Sequence, residues 1–515
     1  MSAVKEIDVA VIGSGFGGIG TALSLAEQGY KVALFESLRY PGGCAGTFSR
    51  KGYRFEAGAT LSSGFGEFQL FKKWIDQYNL QIDLEWLDPV IHFRSPNLQL
   101  DIPSNRDKLI ELFVNMPKAP QEGIHSFFAH QKQVADQLWQ LFDDPNLLPP
   151  WTAKTLWQHT RSLKSYLPVI RDMNRSLYQV LERYRIHEFK PLKIYLDALC
   201  QITVQCNTTQ AEAPFALSTM DYYGRGTAHV IGGLGKLAAE LCRAIQLCDG
   251  QVHLSNRVKD IIPLETGGYR LETRKGTYNS KAIVANLLPS GIKKLLPDHY
   301  SWPKWADQLQ EQVARGWGAA MLYMVARTPP NSTGFAEHWQ LVGDEDLPLN
   351  EGNHVFCSTS SVNENDRAPF GSQTLTLSTH VPVAKIKQME VTEQAKYVQK
   401  IQARMRETFQ SRCSSWSEEV YFAMTASPRT FEKFTSRPDG LVGGIPKIKG
   451  WQNYLHLGPR KLANDFYLVG DSTFPGQSTL ATATGGQRVA YALGKHLASI
   501  SQRQYLPSIS VKSGA

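Results

Sequence analysis

A short run rich in β-branched residues breaks at once into glycines near the amino end: Ile7-Asp8-Val9-Ala10-Val11-Ile12-Gly13-Ser14-Gly15-Phe16-Gly17-Gly18. Apolar side chains at Ile19, Leu23 and Ala26 follow at helical spacing, and Gly29 stands where a helix C-cap belongs. Lys31-Val32-Ala33-Leu34-Phe35-Glu36 reads as a second strand ending on a carboxylate. Strand, glycine turn, helix, strand and acid together make the βαβ fingerprint of a dinucleotide site. Gly13 permits the tight turn, Gly15 leaves room for a pyrophosphate, and Gly18 lets helix and strand pack closely. The helix start at Phe16-Gly17 supplies unpaired N–H groups and a positive dipole end. Glu36 can accept hydrogen bonds from ribose hydroxyls, and its charge disfavours a 2′-phosphate.

A second glycine turn, Arg39-Tyr40-Pro41-Gly42-Gly43-Cys44-Ala45-Gly46-Thr47-Phe48, comes directly after the acidic strand end. Gly42 and Gly43 let backbone N–H groups approach another part of the ligand. Gly52-Tyr53-Arg54-Phe55-Glu56-Ala57-Gly58-Ala59 follows as a strand and turn. Near the far end, Phe466-Tyr467-Leu468-Val469-Gly470-Asp471 reads as a buried strand ending on Gly470-Asp471. Ser472-Thr473-Phe474-Pro475-Gly476-Gln477 and a glycine-containing helix come after it.

These motifs resemble the FAD-dependent amine oxidase and phytoene desaturase superfamily. Pro41–Thr47 and Asp471–Gln477 look most like its carotenoid desaturase, carotenoid isomerase and retinol saturase branch. The family usually has Asp where this chain has Glu56, which keeps the charge. The resemblance implies FAD as cofactor, with Asp471 beside the ribityl chain and Pro475-Gly476 at the flavin. It also implies that the segment around Val258 lies beside the adenine. The glycine turn Gly232-Gly233-Leu234-Gly235 would then open the helix that returns the chain to the nucleotide domain. Specific motifs cover about 1–68, 225–295 and 458–498.

The expected fold is α/β: a Rossmann-type FAD-binding domain assembled from discontinuous segments, with a second, α+β substrate domain of mixed sheet and helices. The FAD domain takes 1–82, 225–295 and 458–502, the substrate domain 83–224 and 296–457, and a flexible tail 503–515. Strands are expected at Leu84–Leu87, Ile91–Phe93 and Leu98–Ile102, with a largely helical stretch over 104–205. Thr277-Tyr278 and Ala282–Asn286 read as separate short strands.

Lys+Arg 55 against Asp+Glu 47 gives a net charge of +8, a mild excess that suits an anionic membrane surface better than nucleic acid. Seven scattered cysteines without C-x-x-C spacing indicate neither a zinc site nor a disulfide framework. No run of 18 apolar residues is present, and the amino end reads as a strand rather than a signal peptide, so a cytoplasmic, peripheral protein is expected. Trp151–Tyr195 carries nine Lys or Arg against three acids, interleaved with Trp, Tyr and Leu. That composition serves a membrane-interface helix or an ordinary helix with a solvated basic side.

What the resemblance implies is a flavin oxidoreductase acting on an apolar, carotenoid-like polyene by desaturation or cis–trans isomerisation, with a quinone or oxygen as electron acceptor. Saturation of a polyene or retinol is an alternative reaction. A prenyl-binding escort-type protein and an amine oxidase are the alternatives of other classes. No catalytic residue and no metal ligand is assigned; His187, His229 and Cys44 read as structural.

Overall fold

The computed structural model describes residues 4–505, so the expected tail lies outside the described residues from 506 onward. The first strand, Lys5–Ile12, lies between Val32–Phe35 and Gly276–Ala285 with all three parallel. Gln251–His253 extends this sheet beyond Val32–Phe35, and Phe466–Leu468 extends it beyond Gly276–Ala285, again in parallel. The nucleotide domain is therefore one sheet drawn from both ends of the chain. Its strands are near-continuous apolar runs because both faces are covered. On one face the helices Phe16–Ala26, Leu234–Leu247 and Thr479–Tyr505 pack around Val9, Val11, Leu23, Leu237 and Leu493. The first helix is buried along its whole length, between the sheet and the closing helix. A Cβ on Gly20 would come within 2.6 Å of the Ala483 carbonyl, so small residues set how near these helices lie. On the other face, Leu271, Ile283, Ile292 and Leu309 form a second core.

The two short strands expected at Thr277-Tyr278 and Ala282–Asn286 are one strand, Gly276–Ala285. Its first half pairs antiparallel with Tyr269–Thr273 and its second half parallel with Phe466–Leu468, which explains its length.

The second sheet is mixed and mainly antiparallel. Its order runs Val420–Ala426, Trp317–Arg327, Ser372–Pro382, His354–Thr359, His338–Val342, Ile91–Arg94, Gln99–Ile102. The helix Val391–Arg412 covers one side through Val398, Ile401, Met405 and Phe409. The strand expected at Leu84–Leu87 shortens to Leu84–Glu85. It pairs with His229–Val230 rather than with this sheet, which starts only at Ile91.

The stretch Trp151–Tyr195 is not one docking segment. Leu177, Val180, Leu181, Ile186, Leu192, Ile194 and Tyr195 are buried with Phe93, Phe113 and Phe127 in the core of the helical layer. Arg183 is no surface cation: its Nη2 forms an ion pair at 2.8 Å with Asp172, a fully buried carboxylate that also meets His130 Nε2 at 2.5 Å. Trp151 and the helices Ala153–Arg161 and Leu163–Asp172 present large apolar side chains to the outside. Helical spacing of apolar and basic residues is the same whether the apolar side meets a core or a membrane. No helix among the described residues is long and apolar enough to cross a membrane.

Candidate functional site

One cavity of about 740 Å³ runs along the junction of the two sheets. The glycine turn forms one end. Gly13, Gly15, Phe16 and Gly17 line it, together with Glu36 at the end of the second strand and Val258 at the start of Val258–Pro263. Gly42 and Gly43 lie in the middle, as do Asp471 and Pro475. Gly18, Gly470 and Gly476 stand behind the lining. A Cβ on Gly18 would run into the Gly13 carbonyl oxygen, and one on Gly470 would meet Asn286 Oδ1 at 2.8 Å. Ten of the thirteen positions expected at a dinucleotide site, separated by more than 450 residues in sequence, thus line one cleft.

Local bonding holds this end open. Glu36 Oε2 accepts from the Ser14 backbone N–H (2.9 Å) and hydroxyl (2.8 Å), while Oε1 accepts from the Leu38 N–H (2.8 Å) and the Ser37 hydroxyl (3.1 Å). The carboxylate is thereby fixed at the strand end, 8% exposed and facing the cleft. The second glycine turn is tied to the first by the Gly42 N–H donating to the Ser14 carbonyl at 2.8 Å. Gly42 and Gly43 have φ of 108° and 59°, which glycine adopts at no steric cost.

Sequence reasoning missed three residues here. Asn286 follows the strand Gly276–Ala285 and sits over the glycine turn; a Cβ on Gly15 would come within 2.6 Å of its amide nitrogen. The bareness of Gly15 thus makes room for Asn286 as well as for a ligand. The signal was a polar residue at the end of an apolar strand, as at Glu36. Arg437 donates from Nη2 to both oxygens of Asp471, at 2.8 and 3.1 Å, so this carboxylate already has a partner. Lys447 lines the cavity with its ammonium 5.2 Å from the centre of the Phe215 ring, and burial lowers its pKa to about 8. Arg437 and Lys447 lie in a loop-rich stretch with no periodicity, so nothing local marked them.

The far end of the cavity is apolar and aromatic, with Trp139, Phe142, Ile202, Val204 and Phe215 in its wall. Tyr222 and Tyr223 also line it. The Tyr222 hydroxyl donates to the Leu61 carbonyl, and the Tyr223 hydroxyl accepts from Gln340. Burial pushes the Cys44 thiol up, which keeps it protonated and unreactive. His380 is lowered to about 4 by burial and stands neutral.

The residues present fit FAD. A side-chain-free turn leads into a helix start, a fixed carboxylate ends the neighbouring strand, and a second glycine turn continues the same cleft toward an apolar chamber.

Comparison with known proteins agrees. The chain is 24% identical over 512 residues to the chloroplastic prolycopene isomerase of Arabidopsis thaliana, covering 94% of this chain and 82% of that one. It is 22% identical over 502 residues to the neurosporene-forming phytoene desaturase of Cereibacter sphaeroides, covering 92% of each. Among solved structures, an oxidoreductase from Methanosarcina mazei superposes with a TM-score of 0.61 at 15% identity, covering 94% of this chain and all of that one. A putrescine oxidase variant gives 0.61 at 13% identity over 96% of this chain and all of that one. Flavin containing amine oxidoreductase, the family whose pattern matches residues 16–493, is the one to which this chain belongs, as an FAD-dependent oxidoreductase.

Proposed function

We propose that this protein acts on a carotenoid-like polyene, desaturating it or isomerising its double bonds, with the flavin ring at the junction between the glycine-lined cleft and the apolar chamber. The observation that carries this reading is the continuity of the cavity: the dinucleotide cradle opens directly onto a wall of Trp139, Phe142, Ile202, Val204 and Phe215. A wall of this kind offers an apolar chain favourable burial and keeps water from the reacting carbons. FAD supplies hydride and electron exchange when bound. Gly13, Gly15, Phe16 and Gly17 would hold its pyrophosphate, Glu36 its ribose, Val258 its adenine side, and Gly42, Gly43 and Pro475 its ring. Gly18 and Gly470 keep the surrounding turns close, and Gly476 leaves room for the Lys447 side chain. A quinone or oxygen would take the electrons after desaturation.

Anaerobic incubation of the FAD-loaded protein, once with the flavin oxidised and once with it reduced by dithionite, with lycopene-type carotenes in liposomes tests the reading, by absorption and chromatography. A longer chromophore means desaturation; a changed isomer pattern at constant mass means isomerisation. A shorter chromophore with added mass supports saturation instead. Similarity to the human all-trans-retinol 13,14-reductase, 23% over 279 residues and covering 51% of this chain and 43% of that one, is what keeps that reaction open. Failure to alter any polyene, with FAD bound, would sink the proposal.

Asp471 and Arg437 allow a separable prediction. Asp471→Ala removes a carboxylate from the cleft and also strands the Arg437 guanidinium, so it should lower both FAD affinity and melting temperature. In Asp471→Ala/Arg437→Met the stranded charge is gone. Melting temperature should then recover in part while FAD affinity stays low. Full recovery of FAD affinity in the double variant would show that Asp471 serves only to pair Arg437.

An apolar substrate calls for a lipid-facing mouth. Trp157, Leu163, Leu167 and Ile170 are 54%, 58%, 61% and 53% exposed, on the two helices that remain of the basic stretch. Trp151 joins Leu455 in a shallow recess nearby. Lys154, Arg161, Lys164, Arg171 and Arg175 are exposed around them. Each basic side chain near an anionic surface contributes about 1 kcal/mol. Replacing Arg161, Lys164, Arg171 and Arg175 by Gln should weaken sedimentation with anionic vesicles at least tenfold at low salt. Parent-like binding by that variant would place the docking surface elsewhere.

A further inference from the structure

A line of hydrogen bonds leaves the cavity wall and ends on a pair of buried imidazoles. Thr60 lines the cavity, and its hydroxyl lies 2.6 Å from that of Ser358. Ser358 stands directly opposite His338 across the antiparallel pair His338–Val342 and His354–Thr359, and its hydroxyl is 2.6 Å from His338 Nδ1. The His338 ring lies 5.6 Å, centre to centre, from that of His229, whose Nε2 is 2.9 Å from Glu364. Thr60, Ser358, His338, His229 and Glu364 are each no more than 5% exposed.

Two features set this line apart from a structural contact. His338 Nε2 and His229 Nδ1 are both buried without a hydrogen-bond partner, so neither ring is held in one protonation pattern from both sides. In addition, either hydroxyl of the Thr60–Ser358 pair can be the donor. The same heavy-atom positions therefore serve both proton directions.

We propose that Thr60, Ser358 and His338 form a proton relay that exchanges one proton between a substrate carbon in the cavity and the buried His338–His229 pair. The inference rests on the polyene-redox reading above. In desaturation, a C–H proton passes to the Thr60 oxygen as the Thr60 proton moves to Ser358 and that of Ser358 to His338 Nδ1. The electron pair of the broken C–H bond forms the new double bond, and the neighbouring carbon gives its hydride to oxidised FAD. Saturation runs the same proton back. The cation formed on His338 faces His229 from the strand His229–Val230, His92 from Ile91–Arg94, and Glu364 and Arg367 from the loop after His354–Thr359. Of these groups Glu364 favours the cation, while His229, His92 and Arg367 oppose it. Burial, the largest influence, holds His338 well below the ordinary imidazole range, so it begins neutral and able to accept.

The test uses FAD-loaded full-length protein with the polyene that reacts in the liposome assay. Thr60→Val, Ser358→Ala and His338→Gln should each lower kcat about 10²–10⁴-fold with KM and FAD content near parental, and Thr60→Ser should restore it. Parental kcat in Thr60→Val would overturn the relay, as would equal losses in Thr60→Ser and Thr60→Val. A substrate-free arm separates this failure from failure of the polyene reading. In protein carrying ¹⁵N-histidine, the His338 ring proton should exchange with water at least tenfold more slowly in Thr60→Val than in the parent. Equal exchange rates would overturn the relay whatever the substrate proves to be.

Discussion

Gly18→Ala is expected to yield protein that purifies without FAD. The added methyl would be driven into the Gly13 carbonyl oxygen, a backbone atom that cannot rotate aside, and would also approach the Asn286 Cβ at 3.3 Å. The first helix cannot yield, because all of its residues are buried against the sheet and the closing helix. Relief must come from the turn at Gly13–Gly17, which is the cleft itself. Overpacking of this kind typically costs about 1–3 kcal/mol, here placed at the end of the cavity that the cofactor has to enter. Gly15→Val acts differently. Its Cβ meets the end of a movable side chain, the Asn286 amide, and its branches project into the space a pyrophosphate would fill. It should lose FAD with little loss of melting temperature, whereas Gly18→Ala should lose both. Flavin absorbance after desalting, read beside thermal denaturation, checks the pair. Full flavin content in both variants would remove the glycine turn from the site.

Arg367→Met should destabilise the protein by about 3–5 kcal/mol, the usual consequence of removing one partner from a buried ion pair. Arg367 is 2% exposed; its Nη1 donates to Glu56 at 3.2 Å and to Glu364 at 3.1 Å. Glu56 also accepts from the Thr47 hydroxyl and from the Leu234 N–H at the start of the helix Leu234–Leu247. Glu364 accepts from the Gly232 and Ser361 N–H groups and meets His229. The cluster joins the strand Tyr53–Glu56 and the start of the helix Leu234–Leu247 to the loop after His354–Thr359, so its loss should loosen the packing among these three segments. In the parent, burial works to raise the pKa of Glu364, but Arg367, His229 and the Ser361 N–H more than offset it and hold it below the ordinary value. That stability is fully present above the unfolded pKa of 4.5 and is lost as pH falls through the lower folded value. In Arg367→Met the sign reverses for Glu364, while Glu56, which burial already raises in the parent against the pull of Arg367, rises further. Two buried carboxylates without their cation have raised folded pKa values, so the penalty grows as pH rises through them. The melting-temperature gap between variant and parent should be wider at pH 7.5 than at pH 5. A gap independent of pH would mean that Arg367 contributes packing rather than charge.

Sequence alone determined the nucleotide domain, and the reason is local. A βαβ turn needs glycine at fixed offsets whatever surrounds it, so Gly13, Gly15, Gly18 and Glu36 could be read within thirty residues. Gly470-Asp471 could be read the same way, because a buried parallel strand is an apolar run that must end somewhere polar. Other features depended on elements far apart in the chain. Asn286, Arg437 and Lys447 owe their places to how strands and loops from different segments converge on one cavity. The Thr60–Ser358–His338 line joins the turn after Tyr53–Glu56 to two strands of the other sheet. The basic stretch Trp151–Tyr195 divided for the same reason. Amphipathic spacing specifies that a helix has an apolar side, but only the packed tertiary structure decides whether that side meets Phe93 and Phe127 or is left exposed. Contacts within one turn or one strand are written in neighbouring residues; contacts between segments exist only once the chain has closed on itself.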